Sequence, residues 1–321
     1  MKKFRGEKAM IFSQNGLITR EFGLAGLSWT PVYVLLGKQP VLFESGFTCA
    51  GKLYAEDILN FSGGSEPEFL FLTHMHYDHC GASAYFKKRF PGLKIAASAL
   101  AAEFMGRANV VNRITALSRD LIALTAAIPG VDAGQLLQDS FEPFHVDWQL
   151  KDGDRISIEE GLTVEVLATP GHTRDMLSYY VPEKKILIAT EASGCIDRAG
   201  TLITEFLFDY QAYLSSLKRL AALEVEILCQ GHHRVFVGQD EVQAFFARSL
   251  KEAVRFKERV YELLDATKSN IEEVIRLIKQ EQYDINLNVK QPEKAYLLNL
   301  TARVKHLAET FHHKGRNFRR L

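Results

Sequence analysis

Apolar and polar positions follow two periods along this chain, and the change of period divides it. Up to about residue 238, short apolar runs of strand length recur between Gly, Pro, Asn and Asp turns; from Gln239 onward the spacing is helical throughout. Val32–Leu36 and Val41–Glu44 flank Gly37-Lys38-Gln39-Pro40 and predict a hairpin. Ala9–Phe12 and Leu17–Phe22 flank Gln14-Asn15-Gly16, and this Asn-Gly signal predicts another. Lys52–Phe61 has helical spacing, whereas Phe69-Leu70-Phe71-Leu72 is uninterrupted apolar, as in a strand covered on both faces. A helix to about Phe90 and a strand over Leu93–Ala97 follow. Residues 98–147 read as a mostly helical insertion. Strand signals resume over Arg155–Ile158, Leu162–Ala168, Met176–Val181 and Lys185–Thr190, and a helix over Tyr210–Leu223 precedes the strand Val225–Cys229. The expected architecture is α/β: a domain over residues 1–238 carrying the insertion, then a helical region over 239–321. Amphipathic stretches such as Val254–Leu264 and Ile271–Ile278 suit that region to covering the active site or forming an interface, including a homodimer.

Composition narrows the function. The chain has 321 residues, with 39 Lys and Arg against 39 Asp and Glu. A net charge of zero argues against a protein that works by holding nucleic acid phosphates or an anionic membrane. No segment has the apolar run of a signal peptide or a membrane span, so the expected location is cytoplasmic. Cys49, Cys80, Cys195 and Cys229 are scattered without a CxxC pair, which points to reduced, buried thiols.

The concentrated chemistry is His74-x-His76-x-Asp78-His79, directly after the apolar run 69–72. Three imidazoles and a carboxylate within six residues would each need a buried partner, and metal ligation explains them together. Their place after a strand is where α/β layers put their sites. Four local ligands are too many for one metal with an open position and too few for two. Further donors stand at other strand ends: His172 in Thr169-Pro170-Gly171-His172-Thr173, Glu191 after Lys185–Thr190, and His232 in Gln230-Gly231-His232-His233. A histidine after glycine in a turn is by itself an ordinary solvated residue; beside the first motif it reads as a ligand. His233 reads as a loop residue, Tyr77 as packing, and Cys80 and Cys195 as small buried side chains. His145, His306, His312 and His313 read as surface or capping groups, and the basic tail 314–320 as a solvated end.

Taken together, THMHYDHCG at 73–81, TPGHT at 169–173, ATEAS at 189–193 and QGHH at 230–233 resemble, in order, the metallo-β-lactamase-fold hydrolase superfamily. Within it, the DHCG ending, the helical insertion, FDYQAYLSSLKRL at 208–220 and the helical C-terminal region are similar to quinolone-signal-response and thioesterase-like members. The resemblance implies a four-layer αββα sandwich with a dinuclear site. One metal would be held by His74, His76 and His172, the other by Asp78, His79 and His232. Glu191 stands where the family has a bridging aspartate; its extra methylene leaves bridging, binding one metal or turning aside all open.

Two divalent ions (Zn, Fe or Mn), two carboxylates and a bridging hydroxide leave about one positive charge in the pocket. The expected activity is hydrolysis of a small ester or thioester, with lactone and phosphodiester cleavage in the same class. The hydroxide would be the nucleophile, and Asp78 both ligand and proton acceptor. Two alternatives remain at this level: a regulatory protein that keeps the metal site and acts through a protein partner, and a diiron redox enzyme. Against the latter, His76 stands where such enzymes carry a glutamate.

Overall fold

The computed structural model describes residues 10–12, 15–197, 200–285 and 292–318. In chain order the first elements are β1 (Met10–Phe12), β2 (Gly16–Leu17), β3 (Phe22–Ala25), β4 (Val32–Leu35), β5 (Val41–Phe43), α1 (Gly51–Phe61), β6 (Phe69–Phe71), α2 (Ser83–Arg89) and β7 (Lys94–Ser98). The insertion then gives α3 (Ala99–Met105) and α4 (Ala108–Ala126) before β8 (Trp148–Leu150). After these come β9 (Arg155–Glu159), β10 (Leu162–Ala168), β11 (Leu177–Val181), β12 (Ile186–Ile188), β13 (Cys195–Ile196), β14 (Leu202–Ile203), α5 (Tyr210–Ala221), β15 (Ile227–Cys229) and β16 (Val235–Val237). Three helices close the chain: α6 (Gln239–Ala266), α7 (Ile271–Lys279) and α8 (Glu293–Phe318).

Two compact units result. The first takes the residues up to Ala168, Asp175–Ala189 and Glu224–Gly238; the second takes Thr169–Arg174, Thr190–Leu223 and those from Gln239 on. The first unit contains both large sheets, one in the order β2-β3-β4-β5-β6-β7-β8 and the other β1-β16-β15-β12-β11-β10-β9. Their facing sides share one core, in which Phe43, Phe69 and Phe71 of one sheet meet Val164, Tyr179 and Ile188 of the other. Leu42, Leu70 and Leu72 point the opposite way, into a second core with Tyr54 and Ile58 of α1, Phe86 of α2 and Ile114 and Leu121 of α4. Because successive strand residues face opposite sides, a strand between two cores must be apolar at every position. That is why 69–72 is a continuous run, and β6 lies between parallel neighbours β5 and β7.

The Asn-Gly hairpin expected at 14–16 is not formed. β1 pairs with β16, Met10 opposite Val237, while β2 pairs with β3 in the other sheet. Gln14 lies outside the described residues. The Asn15-Gly16 segment therefore leaves one sheet and enters the other, and the local turn signal is overridden by partners distant in sequence. The hairpin β4–β5 is as the pattern predicts.

In the second unit, α5 and α8 each pack on α6, and the small sheet β13–β14 lies against α6 through β14. The helical run ends at Lys268 and Ser269, both at positive φ (53° and 64°), after which Asn270 caps α7 through its side chain. Among the described residues, no helix is long and apolar enough to cross a membrane.

Candidate metal centre

The chain leaves β6 through Leu72 and turns sharply over residues 73–81. Gly81 makes that turn possible: a Cβ there would lie 2.5 Å from Gly46 O, 2.6 Å from Thr48 N and 2.6 Å from Tyr77 O, all backbone atoms. Backbone contacts hold the turn against neighbouring segments, Ser45 N donating to His79 O at 2.7 Å and Met75 N to Asp175 Oδ2 at 2.9 Å. Cys80 N and His79 N both donate to His76 O at 3.0 Å, so the four motif side chains fan out from one tight loop.

Within it, His74 Nε2 and His76 Nδ1 are 3.0 Å apart. Two nitrogens on one tetrahedral zinc, each at about 2.05 Å, sit roughly 3.3 Å from each other, so this spacing suits a shared ion. His74 is fully buried and its Nδ1 is 3.0 Å from Thr73 Oγ1. His79, 2% exposed, directs Nδ1 to Glu44 Oε2 at 2.8 Å. The second Glu44 oxygen accepts from Thr73 N at 2.8 Å. Glu44 is itself 2% exposed at φ 70°, an uncommon backbone region for a residue with a side chain. Its burial raises its carboxyl pKa, opposed by the His79 charge and hydrogen bond.

His232 comes from the turn after β15. Its Nδ1 is 2.7 Å from Trp29 O, and a carbonyl only accepts, so this nitrogen carries the proton. The neighbouring His233, at φ 62°, donates its backbone N–H to Ser28 O at 2.6 Å, and Tyr33 Oη donates to Gln230 O at 2.6 Å. The loop between β3 and β4 thus holds the turn that carries His232. His232 Nε2 is 3.7 Å from Asp78 Oδ2, and His79 Nε2 is 4.0 Å from the same oxygen. Donor atoms of Asp78, His79 and His232 all lie within 4.8 Å of one another. Each imidazole is tied at Nδ1 and offers Nε2, the arrangement that outer partners impose on metal-ligating histidines. Nitrogen and carboxylate donors of this kind fit zinc, iron or manganese.

The other two residues singled out in the sequence belong to the second unit. His172, 3% exposed, donates Nδ1–H to Glu205 O at 2.6 Å, so the proton again sits on Nδ1. Its turn needs Gly171, whose φ is 137° and whose Cβ would meet Tyr213 Cα at 2.3 Å. Glu191, 2% exposed, sits in the short 3-10 turn Thr190–Ser193. That turn is held by Gly194 N on Glu191 O and by Ser249 Oγ on Ser193 O at 2.5 Å.

Glu44 and the carbonyls of Trp29 and Glu205 orient three of the histidines. Sequence reading passes over all three; only Glu44, an acid directly after the apolar run 41–43, leaves a trace there. Tyr77 packs on Phe47 with centroids 6.5 Å apart, and burial pushes its phenol up. All four cysteines are buried and outside any disulfide. Burial raises the Cys80 thiol well above its usual range, as expected for a packing residue rather than a reactive one. His306 accepts from Tyr210 N at 3.0 Å, capping α5, and His145 is exposed. The side chains of His312, His313 and the basic tail lie outside the described residues.

Known proteins resemble this chain in sequence and fold. Over 164 residues the chain is 27% identical to the beta-lactamase-like protein 2 homolog of Caenorhabditis elegans, covering 51% of this chain and 42% of that protein. Over 121 residues it is 32% identical to a hydroxyacylglutathione hydrolase of Rippkaea orientalis, covering 38% and 32%. The chain thus spans less than half the length of these curated relatives. A metallo-beta-lactamase family protein of Thermus thermophilus superposes with a TM-score of 0.59 at 17% identity, covering 96% of this chain and 94% of that one. The model of the metallo-beta-lactamase superfamily matches residues 30–232, a span that opens at the loop beside Trp29 and closes on His232. With the family's match covering more than half of the chain and both ends of its histidine scaffold, the chain belongs to the metallo-beta-lactamase superfamily.

Proposed function

We propose that the chain is a dinuclear metal-dependent hydrolase of a small ester or thioester. His74, His76 and His172 hold one divalent ion, Asp78, His79 and His232 the other, and the Glu191 carboxylate completes the pair. The observation that carries the reading is the Asp78, His79 and His232 cluster, in which both imidazoles are tied at Nδ1 and present Nε2 toward one carboxylate oxygen. The hydroxyacylglutathione hydrolase relatives, thioester hydrolases by their names, support the substrate class.

Bound divalent ions supply Lewis acidity, polarising a carbonyl and lowering the pKa of water toward neutrality. The protein residues do the rest. Glu44, Trp29 O and Glu205 O fix three imidazole tautomers before any substrate arrives, so little reorganisation is needed during reaction. Asp78, whose side chain is 15% exposed, is the carboxylate of the triad that reaches solvent, which suits it to the role of proton acceptor. His74 and His79 are buried and stay desolvated, which strengthens charge interactions at their ring nitrogens.

The test is a turnover assay of protein loaded separately with zinc, iron and manganese, against thioester, ester, lactone and phosphodiester substrates. Thioester or ester turnover that disappears on chelation is expected. Absence of turnover across all four classes with every metal contradicts the proposal.

A further inference from the structure

A second polar cluster lies wholly within the second unit and includes none of the metal donors named above. Arg303 of α8 is 2% exposed and is among the largest fully buried side chains. Its guanidinium carbon lies 4.4 Å from the centroid of the Phe256 ring, and Nη1 donates to Thr204 O at 3.0 Å. The Nε–H has no hydrogen-bond partner. The hydroxyls of Tyr296 and Thr204, on residues 4% and 1% exposed, also lack one. A buried donor without a partner is costly, and a buried guanidinium more so. Burial accordingly lowers the Arg303 pKa from its usual value, with Glu205 opposing through its charge. Arginine nevertheless stays cationic in proteins.

These three residues line one cavity of about 30 Å³. A single water needs roughly 10–15 Å³ of such space, so the cavity holds about two water-sized positions, the span of the two oxygens of a carboxylate. Leu202, Ile203 and Phe256 give it apolar walls. Its polar rim also contains Asp197, whose Oδ1 accepts from Thr201 N, and Glu252, 3.3 Å from Arg255 and with its carboxyl pKa raised by burial. Repulsion from these acids grows with the charge of an occupant, so it opposes a dianion such as phosphate more than a planar monoanion, whose two oxygens match an arginine edge and the hydroxyl donors lining the same cavity.

We propose that the cavity is a binding site for the carboxylate of a small monocarboxylic acid, held by Arg303 Nε, Tyr296 Oη and Thr204 Oγ1. The site is independent of the hydrolase reading. Thr204 adjoins Glu205, whose carbonyl orients His172, so binding rather than turnover is the proper readout.

The experiment is calorimetric titration of the full chain with sodium acetate, with sodium chloride and sodium phosphate as separate arms at matched ionic strength. One equivalent of acetate should bind saturably, without displacement by chloride or phosphate. The T204V/Y296F double variant removes two unpaired donors at nearly constant volume and should keep its melting transition. It should bind acetate at least about tenfold more weakly. R303K keeps the charge, loses the Nε–H and should lose the response. No acetate binding, equal binding by the double variant (which would place acetate elsewhere, such as the metal centre), or equal competition by chloride overturns the proposal.

Discussion

The loop 72–81 and the solvent face of the C-terminal helices are both rich in polar side chains, yet they use them differently. In the loop, Glu44 serves two donors at once and sets the direction of His79 from another segment, as Trp29 O does for His232 beyond the loop. On the helices, Arg276 pairs with Glu273 three residues away, and Arg259 with Glu262 and Glu281. These pairs are exposed, so water can replace either partner. Polar density alone therefore says little. Burial and a fixed partner are what separate a poised site from a solvated face, and substitutions in the two regions should differ accordingly.

The largest effect is expected at His79. His79→Ala removes a ring donor from the Asp78 and His232 cluster, and turnover of a thioester substrate should fall by at least about 10³-fold, roughly 4 kcal/mol in the barrier. Retained turnover would place the chemistry elsewhere. Next is Gly81→Ala, which drives a Cβ into three backbone atoms that cannot swing away. Chemical denaturation should show a loss of about 3 kcal/mol, the upper end for overpacking; an unchanged midpoint would mean that the turn is looser than its geometry.

Glu44→Gln keeps size but presents an amide N–H₂ to a donor that needs an acceptor. Metal affinity should drop about 10–100-fold, as for other outer partners of ligating histidines, with the fold intact by circular dichroism. Wild-type affinity in this variant would make the Glu44 contact incidental. Smallest is Arg276→Ala on the helical face, which should leave the thermal midpoint where it is. A clear drop there would erase the contrast between the regions.

Much of the first region is legible in the sequence, because its determinants are residue types. The run 69–72 announces a doubly covered strand, and the histidine spacing announces ligands. What orients those ligands is mostly hidden: Trp29 and Glu205 act through backbone carbonyls, which every residue has. The partner of β1 is hidden for a related reason. Alternation tells which face a strand buries, but Met10–Phe12 pairs with Val235–Val237 across more than two hundred residues, and a local Asn-Gly signal has no knowledge of that. Arg303 reads as one more cation on a helix, and only tertiary packing shows it buried beneath Phe256 and Thr204.

The central claim is that two groups of side chains hold two metal ions. Metal content by mass spectrometry, measured on wild type and on His79→Ala after loading and desalting, addresses it most directly. Two equivalents are expected in the wild type and one in the variant, which keeps His74, His76 and His172. A wild-type chain that retains no zinc, iron or manganese, or a variant that still retains two equivalents, would contradict it.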